Sequence, residues 1–237
     1  MTYQPGFAAT AFLLADHARA AMLAALLDGR ALPAGELART AGVTAQTASA
    51  HLAKMLAGGL LQVETEGRHR YYRLAGAHVA SMLEGLSVIQ PETQASRRPA
   101  LSPQAREFRF CRRCYDHLAG QLGVAVTQAL QDRDYLLAAP DKQFDVTPGG
   151  AAWFSGIGVD VDGLAPTRRG LARQCLDCTE RRHHLAGPLG VALLAAMCEQ
   201  QWLRRDARSR AIKVTPRGWT WLDEQLGIQA PALPLAA

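Results

Sequence analysis

Glu36-Leu37-Ala38-Arg39-Thr40-Ala41-Gly42-Val43-Thr44-Ala45-Gln46-Thr47-Ala48-Ser49-Ala50-His51-Leu52 decides the fold. Pro33 suits a helix start, where its missing N–H is not needed, and residues 36–41 supply two helical turns that Gly42 stops. Only a tight turn separates that stop from Thr44, whose hydroxyl suits the N-cap of a second helix. This helix sets Ala48, Leu52, Met55 and Leu56 on one face and closes at Gly58-Gly59. Residues 60–65 and 69–74 then alternate in the period-two manner of strands, with Glu66-Gly67-Arg68 as a hairpin tip. Helix, glycine turn, helix and β-hairpin in this order predict a winged helix-turn-helix, in which the second helix enters the DNA major groove.

On the N-terminal side, residues 8–27 read as two short helices carrying Phe12, Leu13, Met22, Leu23, Leu26 and Leu27, with Asp16 placed to cap the second. On the other side, residues 78–89 form a further apolar helix, and the Pro- and Ser-containing stretch 91–103 has linker composition. The expected organisation is a winged-helix and dimerisation domain over 1–90, a linker over 91–103 and an effector-sensing domain over 104–237. That last domain contains an internal repeat, about 104–160 and 168–230. Cys111-Arg112-Arg113-Cys114 is matched by Cys175-Leu176-Asp177-Cys178, His117-Leu118-Ala119-Gly120 by His184-Leu185-Ala186-Gly187, and Val146-Thr147-Pro148 by Val214-Thr215-Pro216. The second copy has three more residues before its histidine. Each copy is expected to run helix, second helix, a strand pair ending in Val-Thr-Pro, and a closing helix. The expected fold class is mainly α with small β-hairpins (α+β).

The chain has 237 residues, 49% hydrophobic and 20% charged, enough to bury a core without disulfides. Mean hydropathy is −0.06, and no apolar run approaches the ~18 to 20 residues that a membrane span requires. The N-terminus has no basic segment ahead of an apolar stretch, so a cytoplasmic protein is expected. Five cysteines in a reducing compartment point to thiol or metal chemistry rather than a disulfide framework. A net charge of +5 suits a polyanionic partner. Neither a Ser-His-Asp set nor a phosphate loop nor a carboxylate pair stands in a suitable context, so the chain is not read as an enzyme.

The positions of the second helix that its apolar face leaves over are Thr44, Gln46, Thr47, Ser49, Ala50, His51 and Lys54. Gln46 is the leading base reader, because its amide both donates to and accepts from an adenine edge. Thr47 and Ser49 suit phosphate oxygens near the helix N-terminus, while His51 and Lys54 extend the set. Arg68 and Arg70 flank the wing tip, where guanidinium groups can straddle a phosphate or enter the minor groove.

Leu14-Ala15-Asp16-His17-Ala18-Arg19, Glu36-Leu37-Ala38 before Gly42-Val43-Thr44, Ser49-Ala50-His51-Leu52 and Gly67-Arg68-His69-Arg70-Tyr71-Tyr72-Arg73-Leu74 together resemble the ArsR/SmtB family of bacterial winged-helix repressors. The resemblance covers roughly the first 90 residues. It implies a homodimeric metal-, metalloid- or redox-responsive repressor that binds a near-palindromic operator and leaves it when an inducer binds. It also implies that the helix over 78–89 packs against its mate, helped by the N-terminal helix. The chain departs from the family in two ways. No Cys-x-Cys site stands at Leu32-Pro33-Ala34-Gly35-Glu36, and His78 with Glu84 is too thin for the dimer-helix zinc site. The duplicated tail is an addition and resembles that of long-tailed ArsR-like regulators carrying a Cys-Tyr-Asp-His-Leu-Ala-Gly segment.

Cys111/Cys114 and Cys175/Cys178 have the spacing with which two thiolates of one turn grip a soft metal. Several uses are open. All four sulfurs can meet at one zinc, or each pair can act alone, with His117 and His183 or His184 as further candidate ligands and Asp116 orienting an imidazole. Three sulfurs suit a trivalent metalloid, and oxidation of one pair beside Arg112 and Arg113 would make a redox sensor. The thiols can equally be core residues, as is expected for Cys198. Trp153, Trp202, Trp219 and Trp221 suggest core, or a cleft for an apolar inducer. The alternative functions are a Cys-x-x-Cys thiol oxidoreductase, disfavoured by helical surroundings, and a zinc-stabilised protein-interaction module.

Overall fold

Gly42 takes a left-handed backbone conformation (φ 65°) and ends α3 (Ala34–Ala41), so that α4 (Ala45–Ala57) starts at a new angle directly after Thr44. These elements belong to a computed structural model that describes residues 5–67, 69–89 and 103–230. Thr44 caps α4 by accepting from the Thr47 N–H at 3.2 Å. Ahead of this pair lie α1 (Pro5–Leu14) and α2 (His17–Ala25), and the Asp16 carboxylate accepts from the Arg19 N–H at 2.9 Å to cap α2. The wing consists of β2 (Leu61–Glu66) and β3 (His69–Leu74), paired from Leu61↔Leu74 to Glu66↔His69. A two-residue strand, β1 (Leu32–Pro33), pairs with Tyr71 and Tyr72 on the other edge of β3, giving the order β1-β3-β2. Sequence periodicity missed it because two residues show no alternation. α5 (Ala77–Ile89) closes this unit. Its core is Met22, Leu23, Leu26, Leu37, Leu52 and Met55, each at most 1% exposed.

The chain divides into two compact units, Met1–Thr93 and Gln94–Ala237. The expected linker lies almost wholly in residues 91–102, outside the described residues, as does Arg68. In the second unit, α6 (Pro103–Phe110) leads into β4 (Arg112–Arg113), β5 (Leu118–Ala119), α7 (Gly120–Asp132), β6 (Leu136–Ala139), β7 (Gln143–Val146) and α8 (Pro148–Gly156). Then follow β8 (Arg173–Leu176), β9 (His183–Ala186), α9 (Gly187–Glu199), β10 (Leu203–Arg205), β11 (Ile212–Val214) and α10 (Pro216–Leu226). Strand pair, helix, strand pair, helix thus occurs twice. The Cys-x-x-Cys segments, expected on helices, lie instead at strand hairpins, and no helix precedes β8 as α6 precedes β4.

Local chemistry accounts for the closing helices. Thr147 and Thr215 accept from the N–H groups of Gly150 and Gly218 at 3.0 and 2.9 Å, and Pro148 and Pro216 fill first-turn positions. Gly120 and Gly187 turn the chain into α7 and α9 at φ 80° and 79°. A Cβ there would sit 2.6 Å from the Arg109 carbonyl oxygen and 2.7 Å from that of Leu171, so only glycine fits. The hairpins are exchanged between the halves. β7 pairs with β8 at Gln143↔Arg173, forming the sheet β6-β7-β8-β9. On the opposite side, β11 approaches β4 through the Arg112↔Ala211 bridge, with Ile212 N–H donating to the Cys111 carbonyl at 3.0 Å. One core holds the unit together, with Leu122, Leu130, Leu136, Phe154, Leu189 and Leu194 at most 1% exposed.

Candidate functional site

The apolar face of α4 is consumed by Ala48, Leu52 and Met55, which leaves Gln46, Thr47, Ser49 and Lys54 exposed. Thr44 is exposed too, but its hydroxyl is engaged in the cap and lies 2.9 Å from that of Thr47. His51 leaves this set. Its side chain is only 16% exposed, with Nδ1 3.9 Å from Asp16 and 3.4 Å from Arg19 Nη1. The reason is Arg19, a buried cation whose Nε and Nη2 donate to the carbonyls of Leu13 and Phe12, and which gathers Asp16 and His51 around it. The backbone N–H of Arg19 holds the Asp16 carboxyl below its ordinary range, against a desolvation that pushes it up, and the neighbouring charge of Arg19 adds to the lowering. Arg70 is exposed on β3 opposite Thr65 in the wing.

In the second unit the four cysteines do not meet. Cys111 is 0% exposed inside the core, where burial pushes its thiol well up. Cys178 Sγ lies 3.4 Å from Arg112 Nη2. The residues brought together are Cys114, His117, Cys175 and His184, whose ligand atoms all lie within 4.8 Å of one another. Backbone pairing explains this set. Cys114 N–H donates to the His117 carbonyl across the β4–β5 turn, and Cys175 is the register partner of His184 in β8–β9. Matching the two motifs by sequence sets Cys111 against Cys175. The strands set Cys114 against Cys175, because the additional residues of the second copy fall within its longer hairpin loop. His183, on the other face of β9, is exposed and outside the set.

His117 Nε2 and His184 Nε2 face each other at 3.1 Å. Nδ1 of His117 donates to Asp116 Oδ1 at 2.8 Å, and Nδ1 of His184, buried and without a hydrogen bond, lies 3.6 Å from Asp177 Oδ2. The Cys114 thiol is pushed up to about 11, first by its hydrogen bond with Cys175 and then by burial, against the opposing pull of the two histidines. Burial opposes the charged form of His117, yet Cys114 and Asp116 outweigh it and raise its pKa.

Asp177 and Arg112 were not legible as a site. Arg112 Nη2 donates to both Asp177 oxygens at 2.9 Å, and the side chains are 2% and 0% exposed. Asp177 also accepts from the N–H groups of Gly120, Thr179 and Glu180. Burial pushes its carboxyl up, but Arg112 and these donors outweigh that and hold it far below the carboxylate range. Arg112 therefore serves Asp177 rather than activating a Cys111/Cys114 pair. An open cleft of about 770 Å³ adjoins the Cys–His cluster, lined by Lys142, Leu164, Arg173 and Val191 besides His117 and Cys175. The tryptophans mostly pack on each other. Trp202 stacks on Trp221 at 3.8 Å, with Trp153 6.0 Å from Trp221, beside a depression of about 300 Å³.

A helix-turn-helix with an exposed polar second helix and a wing defines a winged-helix DNA-binding transcriptional regulator. A family model described as a helix-turn-helix domain matches residues 14–64. The uncharacterized HTH-type transcriptional regulator YdfF of Bacillus subtilis (strain 168) is 42% identical over 225 residues, covering 95% of this chain and 99% of that protein. The HTH-type transcriptional regulator CmtR of Mycobacterium tuberculosis is 43% identical over 70 residues, 30% of this chain and 58% of CmtR. Among solved structures, the homodimeric winged helix-turn-helix domain of Mb0332 from Mycobacterium bovis, a possible ArsR-family regulator, shares 29% identity. It covers 40% of this chain and 88% of its own, with a TM-score of 0.35. The cadmium metal-sensor CmtR structure from M. tuberculosis shares 33% identity, covering 40% and 98%, with a TM-score of 0.30. The chain belongs to the ArsR-like winged-helix transcriptional regulators, and it carries a C-terminal extension that YdfF matches along nearly its full length.

Proposed function

We propose that the chain is a homodimeric repressor that grips a near-palindromic operator with α4 and the wing and is released when the second unit receives an inducer. The observation that carries the reading is the exposed row Gln46, Thr47, Ser49 and Lys54 on α4 beside Arg70 of the wing. Gln46 reads base edges, Thr47 and Ser49 hold phosphates, and Lys54 and Arg70 supply screened electrostatic attraction. Dimerisation is supported by large apolar side chains left exposed within the first unit, Phe7 and Phe12 on α1 and Leu86 and Ile89 on α5. Reception of the signal in the second unit is supported by the cleft beside the Cys–His cluster. Among the described residues no helix is long and apolar enough to cross a membrane, which accords with a protein acting on DNA in the cytoplasm. A thiol oxidoreductase is disfavoured, since burial keeps Cys111 protonated and out of reach.

Fluorescence anisotropy with duplex DNA from upstream of the protein's own gene tests this. Gln46→Ala is expected to lose about 1 to 3 kcal/mol of discrimination between operator and unrelated duplex. Arg70→Ala is expected to weaken both duplexes alike and to flatten the log–log salt slope by about 0.9. Equal affinity of the wild type for both duplexes at moderate salt would overturn the reading.

A further inference from the structure

We propose that Cys114, His117, Cys175 and His184 form a closed tetrahedral zinc site that clips the hairpin β4–β5 to the hairpin β8–β9. Each hairpin contributes one cysteine and the histidine facing it, across the turn for Cys114 and His117 and between strands for Cys175 and His184, so the four donors come as two matching pairs. Tetrahedral zinc with bonds of about 2.0 to 2.1 Å to nitrogen and 2.3 Å to sulfur sets its nitrogens about 3.3 Å apart and its sulfurs about 3.8 Å apart. The observed 3.1 Å between the two Nε2 atoms, and the 4.8 Å limit on all four donors, fit such a polyhedron.

The surrounding groups point to a cation as well. Asp116 accepts from Nδ1 of His117, which leaves its Nε2 as a lone pair. Asp177 is the carboxylate nearest to Nδ1 of His184, a ring only 1% exposed, and favours the proton there too. Two imidazole lone pairs are then aimed at one point beside two thiols, an arrangement that a metal ion relieves and that carboxylate–histidine–zinc sites share. Two sulfurs and two nitrogens suit zinc rather than a hard cation, and with only two thiols in reach the site does not offer the three sulfurs of a trivalent metalloid centre. Four protein ligands leave no open position, so the ion is structural. The site does not depend on the first unit binding an operator.

The test uses the full chain, prepared anaerobically, loaded with zinc and freed of excess metal. About one zinc per chain is expected, and cobalt in its place should give the visible spectrum of a tetrahedral centre with thiolate-to-metal charge transfer. Chelation should expose Cys114 and Cys175 to alkylation, read by peptide mass spectrometry, while Cys178 reacts equally with and without metal. Cys178→Ser should keep the zinc, whereas Cys114→Ser and Cys175→Ser should lose it. If either of the last two fails to fold, the alkylation map and cobalt spectrum of the wild type decide. Asp116→Asn, at an exposed positioning residue, should retain one zinc but bind it about tenfold more weakly in competition with a chelator. The proposal is overturned if the zinc-supplied wild type retains no metal, if cobalt gives an octahedral spectrum, or if Cys178 is protected together with the other thiols.

Discussion

Arg112 and Asp177 form a fully buried ion pair in the second unit, and nothing in their sequence neighbourhoods signals it. A charge buried without its partner is costly, so Arg112→Met should lower the unfolding free energy by about 3 to 5 kcal/mol in urea titrations. Arg112→Lys should recover only part of that, because a single ammonium cannot serve both Asp177, which Nη2 meets, and the Thr179 hydroxyl and Arg109 carbonyl, which Nη1 meets. Asp16 shows the opposite degree of legibility, since its capping role follows from its place ahead of an apolar helix and is observed. Its carboxyl is held below the ordinary value of 3.8 in the folded chain, so the charge contributes stability above about pH 4 and loses it as the pH falls. Asp16→Asn keeps a capping oxygen without the charge. The gap in melting temperature between wild type and this variant should therefore narrow as the pH is lowered through 4, and a constant gap would exclude the charge as its cause. The surroundings of His51 were not legible for a reason of the same kind, because spacing along α4 does not reveal that Arg19 and Asp16 stand beside it.

Among the elements, α3, α4 and the wing were legible because their determinants are local: a glycine stop, a threonine cap, 3.6-residue periodicity and two-residue alternation. The hairpins β4–β5 and β8–β9 were not. Two- to four-residue strands carry little alternation, and the Cys-x-x-Cys spacing drew attention to a helical or single-turn reading. α1 and α5 are strongly apolar, yet Phe12 and Ile89 are 74% and 77% exposed, which leaves a surface for a second copy. Ile89→Asp combined with Phe12→Asp should shift the protein toward monomer in analytical ultracentrifugation while leaving the helical circular dichroism intact. Operator affinity should fall at the same time, because a monomer engages one half-site instead of two. An unchanged sedimentation coefficient would remove these side chains from the dimer interface.

For the whole molecule, the two units should respond separately to metal. Chelation of zinc should reduce hydrogen-exchange protection in β8, β9 and the helices α7 and α9, which pack about them, with protection in α2 to α4 unchanged. Loss of protection in both units together would show that the metal acts elsewhere. The sequence by itself determined the winged helix-turn-helix, the matching of motifs in the second half and the short helices capped by Thr147 and Thr215, because each rests on contacts within a few residues along the chain. Only the tertiary structure decided which thiols meet. Cys114 and Cys175 are brought together by hairpins exchanged between the two halves, through Gln143↔Arg173 on one side and Arg112↔Ala211 on the other. Cys111 is left in the core and Cys178 beside Arg112. Strand register between distant segments is set by the burial of a shared core, and motif spacing contains no record of it.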